Sequence, residues 1–160
     1  MKLTTKGRFA VSAILDIALH QKKSPVTLLA VSERQSISLS YLEQLFSKLR
    51  KREIVSSTRG PGGGYKINKA FTSISVKDII SAVDEKIDAT QCGGTENCHD
   101  GSRCMTHDLW ISVNNKILSY LDSLSLQDLY DNYQISRAEN KDQKIDFFEK
   151  NNVNESGVRI

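Results

Sequence analysis

Apolar residues recur every three or four positions over most of the first 50 residues, which predicts helices. A first helix is expected over residues 6–20, and Ser24-Pro25 ends it. Thr27 is placed to cap a short second helix. After a turn at residues 35–38, Ser40 is the expected cap of a third helix. The apolar face of that third helix comprises Leu42, Leu45, Phe46 and Leu49.

The pattern then changes to two β-prone stretches, residues 54–58 and 65–68. They flank the turn Arg59-Gly60-Pro61-Gly62-Gly63-Gly64, which predicts a hairpin with a flexible, cationic tip. Ser75 and Asp78 resemble a capping box and predict a further helix from Val76.

A longer helix is predicted to begin near His107. Its apolar residues are spaced alternately by three and four, as in a coiled-coil seam: Trp110, Val113, Ile117, Tyr120 and Leu124. Two heptads leave open whether this stripe packs on the first helix or on a second copy of the chain. The width of the stripe favours a dimer interface. A last short helix is expected over residues 126–133, and the polar residues 134–160 predict a disordered tail.

Charge is distributed unevenly along the 160 residues. Residues 1–60 contain 11 Lys/Arg and 4 Asp/Glu, whereas residues 91–160 contain 7 and 11. A basic amino-terminal third suggests a surface for a polyanion, although a solubilising lysine face would give the same count. No apolar run approaches the roughly 20 residues of a membrane span, and no secretory signal is evident. We therefore expect a cytoplasmic protein with no membrane partner and with reduced thiols.

Three helices followed by a hairpin match the plan of a winged helix-turn-helix, which binds double-stranded DNA. The third helix must present polar side chains to base edges, and Ser40, Tyr41, Glu43, Gln44 and Ser47 fit. Basic residues on and after that helix, including Lys48 and Arg50, can neutralise phosphates. At the hairpin tip, Arg59 suits a narrow minor groove. It stands beside Gly60, Pro61 and three further glycines, and a backbone without side chains can approach the groove closely. An ordinary surface turn is the alternative for the tip.

All three cysteines of the chain and one histidine fall within sixteen residues: Cys92, Cys98, Cys104 and His107. The stretch between them is polar and glycine-rich, so a ligand organises it more plausibly than packing does. Zinc commonly accepts three cysteines and a histidine, but usually from closely spaced pairs. A [2Fe–2S] cluster also takes four protein ligands and suits a longer loop. A thiol redox switch remains a third possibility. No set of catalytic residues is evident, so an enzyme is not expected.

Several stretches resemble the bacterial family of winged-helix iron–sulfur cluster regulators. They are MKLTTKGRFAVSAILDIAL, SERQSISLSYLEQLFSKLRK, VSSTRGPGGGY, ISAVDEKIDATQC and CMTHDLW. The resemblance covers residues 1–133 and includes both the third helix and the cysteine loop. It departs in the loop itself, at Thr95-Glu96-Asn97 and His99.

The resemblance implies a homodimer that crosses through the long helix and a [2Fe–2S] cluster held by Cys92, Cys98, Cys104 and His107. It places Ser40, Tyr41, Glu43 and Gln44 against bases and Arg59 in the minor groove. In the family the cluster-bound dimer represses cluster-assembly genes, and the cluster-free dimer binds a second class of sites. The machinery that assembles clusters would then be the cluster donor. A zinc-stabilised or thiol-redox-sensing winged-helix regulator is the alternative.

The expected fold is thus mainly α with a small β-hairpin, a winged helix-turn-helix domain plus a long dimerisation helix. The predicted divisions are a DNA-binding domain over residues 1–86, a cluster-binding loop over 87–107, a dimerisation helix and short following helix over 108–133, and a disordered tail over 134–160.

Overall fold

The computed structural model describes residues 5–90 and 92–138, which form six α-helices and one two-stranded sheet. The helices are α1 (Thr5–His20), α2 (Leu28–Gln35), α3 (Leu39–Lys51), α4 (Val76–Ala82), α5 (His107–Ser123) and α6 (Leu126–Ala138). The strands are β1 (Val55–Thr58) and β2 (Gly64–Ile67), and a 3₁₀ turn, Phe71–Ser73, precedes α4. This order confirms the predicted winged helix-turn-helix followed by a long helix.

Helix α1 lies at the centre of the core and contacts α2, α3, β2, α4 and α6. Its residues Ala10, Ala13, Ile14 and Ile17 are fully buried, because their spacing puts them on one face and alanine lets neighbouring helices approach. A buried acidic residue on the same helix, Asp16, accepts hydrogen bonds from Arg34 and Gln35 of α2. The first two helices are therefore joined by charge as well as by apolar packing.

Helix α3 begins two residues earlier than its sequence suggests. The prediction that Ser40 caps it is wrong, since the N-cap is Ser38 and the helix starts at Leu39. The hydroxyl of Ser38 accepts a hydrogen bond from the amide of Tyr41 at 3.3 Å, and its carbonyl accepts from the amide of Leu42 at 3.0 Å. These two bonds satisfy amides that a later cap would leave unpaired.

The hairpin is antiparallel, and its four residue pairs run from Val55 with Ile67 to Thr58 with Gly64. Val26, just before α2, adds two backbone hydrogen bonds to Tyr65, of 2.7 and 2.9 Å. A side chain at position 64 would meet the carbonyl oxygen of Val26 at 2.5 Å, and φ there is +152°. Glycine at this position is what lets the wing attach to the helical body.

The capping box at Ser75 and Asp78 is present, as predicted. Two backbone hydrogen bonds join the starts of α4 and α6: Val76 donates to Leu124, and Leu126 donates to Ile74. Leu124 follows the end of α5 and is buried with Val76 and Ile80 of the same chain. It is therefore part of the core of the protomer, and its assignment to the dimer stripe is wrong.

Helix α6 continues to Ala138. The prediction that disorder begins at residue 134 is therefore wrong by five residues, and the remainder of the predicted tail, residues 139–160, lies outside the described residues. None of the described helices combines the length and apolarity needed to cross a membrane.

Candidate metal centre and nucleic-acid interface

The loop between α4 and α5 brings the predicted metal ligands together. We call residues 92–107 the ligand loop. Its backbone turns sharply, with positive φ at Gly93, Gly94, Glu96, Asp100 and Gly101. A pair of backbone hydrogen bonds between His99 and Ser102, of 2.9 and 2.7 Å, closes its tip. The glycine-rich sequence thus allows the chain to return on itself between the cysteines.

Three of the four predicted donors converge. The Nδ1 atom of His107 lies 3.7 Å from the Sγ atom of Cys92 and 3.6 Å from the Sγ atom of Cys98. All three donor atoms lie within 4.8 Å of one another. His107 is 4% exposed and is the first residue of α5, so a regular element fixes its position.

The sulfur of the fourth predicted ligand, Cys104, does not belong to that group of three. Cys104 is nevertheless adjacent, because its amide donates a hydrogen bond of 3.1 Å to the Sγ atom of Cys98. A cavity of ≈ 510 Å³ is lined by all four predicted ligands together with Thr90, His99, Thr106 and Trp110, among others. The four predicted ligands therefore line the same cavity, but only the donor atoms of Cys92, Cys98 and His107 form a close group.

Hydrogen bonds bias the thiols in different directions. Partial desolvation opposes ionisation of Cys92, but the amides of Glu96 and Gly94 outweigh it and lower the pKa of this thiol. A hydrogen bond between Cys98 and Cys104 raises the pKa of Cys98 and lowers that of Cys104. Two of the three cysteines are thus shifted toward the thiolate, which is the form that binds metals.

Two neighbours of the donors were not identified from the sequence. The hydroxyl of Thr106 lies 3.9 Å from the Sγ atom of Cys104 and accepts a hydrogen bond of 3.2 Å from the indole of Trp110. Trp110 was assigned only to the dimer stripe. Its spacing of four from Thr106, at the start of a predicted helix, indicates that the two side chains can lie next to each other. His99, the spare donor of the loop, is exposed and outside the donor group.

The predicted DNA-contacting residues lie on two exposed features of the basic half. On α3, opposite the buried face, Ser40, Glu43, Gln44 and Arg50 are exposed, whereas Tyr41, Ser47 and Lys48 are half-buried. Tyr41 packs edge-on against Phe9, with ring centroids 5.9 Å apart. At the tip of the wing, Arg59, Gly60 and Pro61 are exposed. The side chain of Lys48 forms an ion pair with Asp84, which follows α4.

Helix α5 packs on α4, not mainly on α1, and Tyr120 and Leu121 of its last turns pack against Val76 and Ile80. Near its start, Leu109 is 55% exposed and Trp110 is 45% exposed, and the preceding Met105 is fully exposed. Val113, Ile117 and Tyr120 continue the stripe and are half-buried. The described protomer thus leaves the first half of the apolar stripe uncovered.

Comparison with known proteins agrees with this architecture. The HTH-type transcriptional regulator IscR of Photorhabdus laumondii is 55% identical over 135 residues, which are 84% of this chain and 82% of the relative. The solved structure of T. potens IscR has a TM-score of 0.68 at 33% identity and covers 89% of this chain and 94% of that one. CymR, the global cysteine regulator of B. subtilis, has a TM-score of 0.71 at 29% identity, with coverage of 82% and 97%.

The family profile described as "Rrf2: Iron-dependent Transcriptional regulator" matches residues 3–132. That range contains α1 to α5, the wing and the ligand loop, so the match includes both the DNA-binding architecture and the candidate metal centre. The relatives are named as transcriptional regulators, which is not the role of an enzyme. This chain belongs to the Rrf2 family of transcriptional regulators.

Proposed function

We propose that this protein is a DNA-binding transcription regulator that senses iron–sulfur cluster status through a [2Fe–2S] cluster. The convergence of Cys92, Cys98 and His107, with Cys104 beside them, carries this proposal. Three cysteines and a histidine would hold the cluster, two ligands on each iron. When bound, the cluster supplies a redox-active centre whose presence depends on iron and sulfide.

The spacing of the donors along the chain favours a cluster over a single zinc ion, because structural zinc sites usually take their cysteines from closely spaced pairs. A tetrahedral zinc site places all four donors at similar mutual distances around one point. Here three donors meet and the sulfur of Cys104 stands outside their group. A [2Fe–2S] cluster would hold two ligands on each iron, so the sulfur of Cys104 would share one iron with one of these three donors. The amide of Cys104 that points at the sulfur of Cys98 is also the kind of hydrogen bond that tunes iron–sulfur centres.

The proposed DNA contacts divide into those that read sequence and those that position the protein. On α3, Ser40, Tyr41, Glu43, Gln44 and Ser47 would face base edges. Glutamine can pair with adenine, and glutamate can accept a hydrogen bond from the amine of cytosine.

Basic side chains would fix the register on the duplex. Lys48 and Arg50 would bind phosphates, and Arg59 with Gly60-Pro61 would enter the minor groove. Because α3 and the wing are both exposed, one duplex can contact both features.

The proposed output is a change in which sites are bound. The ligand-loop residues would become ordered when they ligate the cluster, and that ordering would bias the position of α3. The cluster-bound form would repress cluster-assembly genes, with the cluster-assembly machinery of the cytoplasm as donor. The cluster-free form would bind a second class of sites. Glu43, exposed on α3, would disfavour one class of site in the cluster-free form.

A homodimer is part of the proposal. The exposed apolar residues at the start of α5, together with Val113, Ile117 and Tyr120, would pack on the same helix of a second copy. Two winged domains would then reach two half-sites, as symmetric DNA-binding proteins do.

Anaerobic purification tests the metal centre. We expect a coloured protein with about two iron atoms and two acid-labile sulfides per protomer. A colourless protein that contains zinc would contradict the proposal.

A substitution in the wing tests the DNA contacts. Arg59→Ala should weaken binding. If its target is a phosphate, it should also reduce the salt slope, the slope of log affinity against log salt concentration, by about 1. An unchanged affinity would remove the wing from the interface.

A thiol redox sensor is the second candidate, and the hydrogen-bonded contact between Cys98 and Cys104 favours it. Two thiols would lose two electrons and two protons to a peroxide and form a disulfide and water. A reversible disulfide, together with regulation that persists after anaerobic cluster loss, would support this function over cluster sensing.

A further inference from the structure

The carboxylate of Asp84 contacts a lysine that the proposed interface assigns to DNA. Its Oδ2 atom lies 2.8 Å from the Nζ atom of Lys48, on α3. Lys6 at the start of α1 and Arg52 just after α3 also act on it electrostatically, and together with Lys48 they lower the pKa of this carboxyl. The carboxylate of Asp84 is thus placed among basic side chains of the half of the protein that would bind a polyanion.

This contact is not needed to hold the fold. The side chain of Lys48 is 36% exposed and that of Asp84 is 61% exposed. Exposed ion pairs contribute little to stability. A phosphate, which carries the same sign of charge as the carboxylate, can therefore replace Asp84 as the partner of Lys48.

Asp84 also belongs to a segment with defined attachments on both sides. It lies two residues after the last residue of α4 and has a left-handed conformation, with φ of 56°. The next residue, Glu85, is buried, and its carboxylate accepts a hydrogen bond of 2.6 Å from the amide of Gly7 in α1. We call residues 84–90 the connector. Cys92 lies two positions beyond its end in the sequence.

The other end of the connector is attached to the long helix. The amide of Ala89 donates a hydrogen bond of 3.0 Å to the side chain of Asn114 on α5. Ile87 packs against the cluster formed by Val76, Ile80 and Leu124. Ordering of the ligand loop around a cluster would therefore act on a short segment that is attached to α1 at one end and to α5 at the other, and Asp84 lies next to the first of these attachments.

We propose that Asp84 competes with DNA phosphate for Lys48, and that the connector links the state of the ligand loop to this competition. The inference rests on the proposed function. It assigns to Asp84 a role in setting DNA affinity without any contact to DNA. Loss of the carboxylate would free Lys48 for a phosphate, whereas loss of Lys48 would make the carboxylate irrelevant.

The test uses the full chain and a labelled duplex that the wild-type protein selects from a random-sequence pool. Affinity is measured anaerobically over a series of salt concentrations, with and without cluster. For the cluster-free protein, Asp84→Asn should tighten binding about threefold to tenfold and make the salt slope steeper by up to about 1, since Lys48 then neutralises a phosphate fully. Lys48→Gln should weaken binding and make the slope shallower by the remainder, so that the two changes together amount to about 1.

Two comparisons separate the ion pair from general charge effects. In the Lys48→Gln background, Asp84→Asn should change affinity by less than about twofold. The control Asp122→Asn removes the same charge from the pair that Lys77 and Asp122 form between α4 and α5, where the exposures are 38% and 51%. It should leave affinity and salt slope unchanged. Equal tightening by Asp122→Asn, or tightening by Asp84→Asn in the absence of Lys48, would overturn the competition.

The connector is tested by the ratio of affinities with and without cluster. Asp84→Asn should bring this ratio closer to one than it is in the wild type. If Asp84→Asn leaves the wild-type ratio unchanged, the link between the ligand loop and Asp84 is overturned. The proposed function remains intact in that case. A wild-type protein that binds no cluster would instead refute the proposed function and the link together, while the affinities of the cluster-free variants would still decide the competition.

Discussion

The ring nitrogen Nδ1 of His107 lies 3.6 Å from the Sγ atom of Cys98, although nine positions separate the two residues. The contact forms because the ligand loop folds back onto the first turn of α5. Burial of the ring leaves it little freedom to turn away. His107 is thus distinguished from His99, the other histidine of the loop, which is exposed.

We expect His107→Ala to reduce bound iron from about two atoms per protomer to a small fraction of that, because one of four ligands is lost. His99→Ala should retain full loading. Iron and sulfide analysis after anaerobic reconstitution measures both variants, and far-UV circular dichroism confirms their folding. Cys98→Ser provides a second ligand variant. Loss of loading in His99→Ala with retention in His107→Ala would contradict this assignment of ligands.

The attachment of the wing predicts a difference between two glycines. Gly64→Ala should lower the free energy of unfolding by about 2–4 kcal/mol, because its Cβ would stand 2.5 Å from the carbonyl oxygen of Val26. Gly62→Ala should cost about 1 kcal/mol, since its φ of +74° is strained for alanine but no atom lies within 4 Å.

Urea denaturation measures both costs. Hydrogen exchange at the amide of Tyr65, which donates to Val26, should become faster in Gly64→Ala alone. Equal costs at the two positions would show that the close approach to Val26 does not constrain the wing.

The sequence predicted much of the fold because its signals were local. The cap at Ser75 with Asp78, the hairpin and the grouping of Cys92, Cys98 and His107 each depend on residues close in the chain. Leu124 shows where such a signal fails. It continues the seam spacing, but the helix ends at Ser123, and the chain turns Leu124 into its own core.

Contacts between distant segments could not be predicted from local patterns. The pair of Lys48 with Asp84 and the buried pair of Asp16 with Arg34 depend on how separate helices pack. Spacing of charges along the chain carries no information about such pairs. The predicted cap of α3 was wrong for a different reason, since Ser38 and Ser40 lie two positions apart and are equally good candidates by residue type.

That ambiguity gives a direct test of the start of α3. Ser38→Ala should lower the free energy of unfolding by about 1 kcal/mol, because the hydroxyl that accepts from the amide of Tyr41 is lost. Ser40→Ala should change it by less than about 0.5 kcal/mol and should instead weaken DNA binding. Chemical denaturation and DNA titration of both variants provide the comparison. The reverse order of stabilities would restore Ser40 as the cap.

If the apolar stripe of α5 is the subunit interface, one charged residue introduced into it should weaken dimerisation. Ile117→Asp should weaken dimerisation by about a hundredfold, because an unpaired carboxylate would be buried between two apolar helix faces. Ser119→Asp introduces the same charge two positions away, on the opposite side of α5, and should leave dimerisation unchanged. Sedimentation equilibrium over a range of protein concentrations measures both constants. Ile117 is half-buried within the protomer, so far-UV circular dichroism must show that its variant remains helical. A folded Ile117→Asp protein that dimerises as well as the wild type would exclude this face as the subunit interface, and the two winged domains would then have to be joined through another surface.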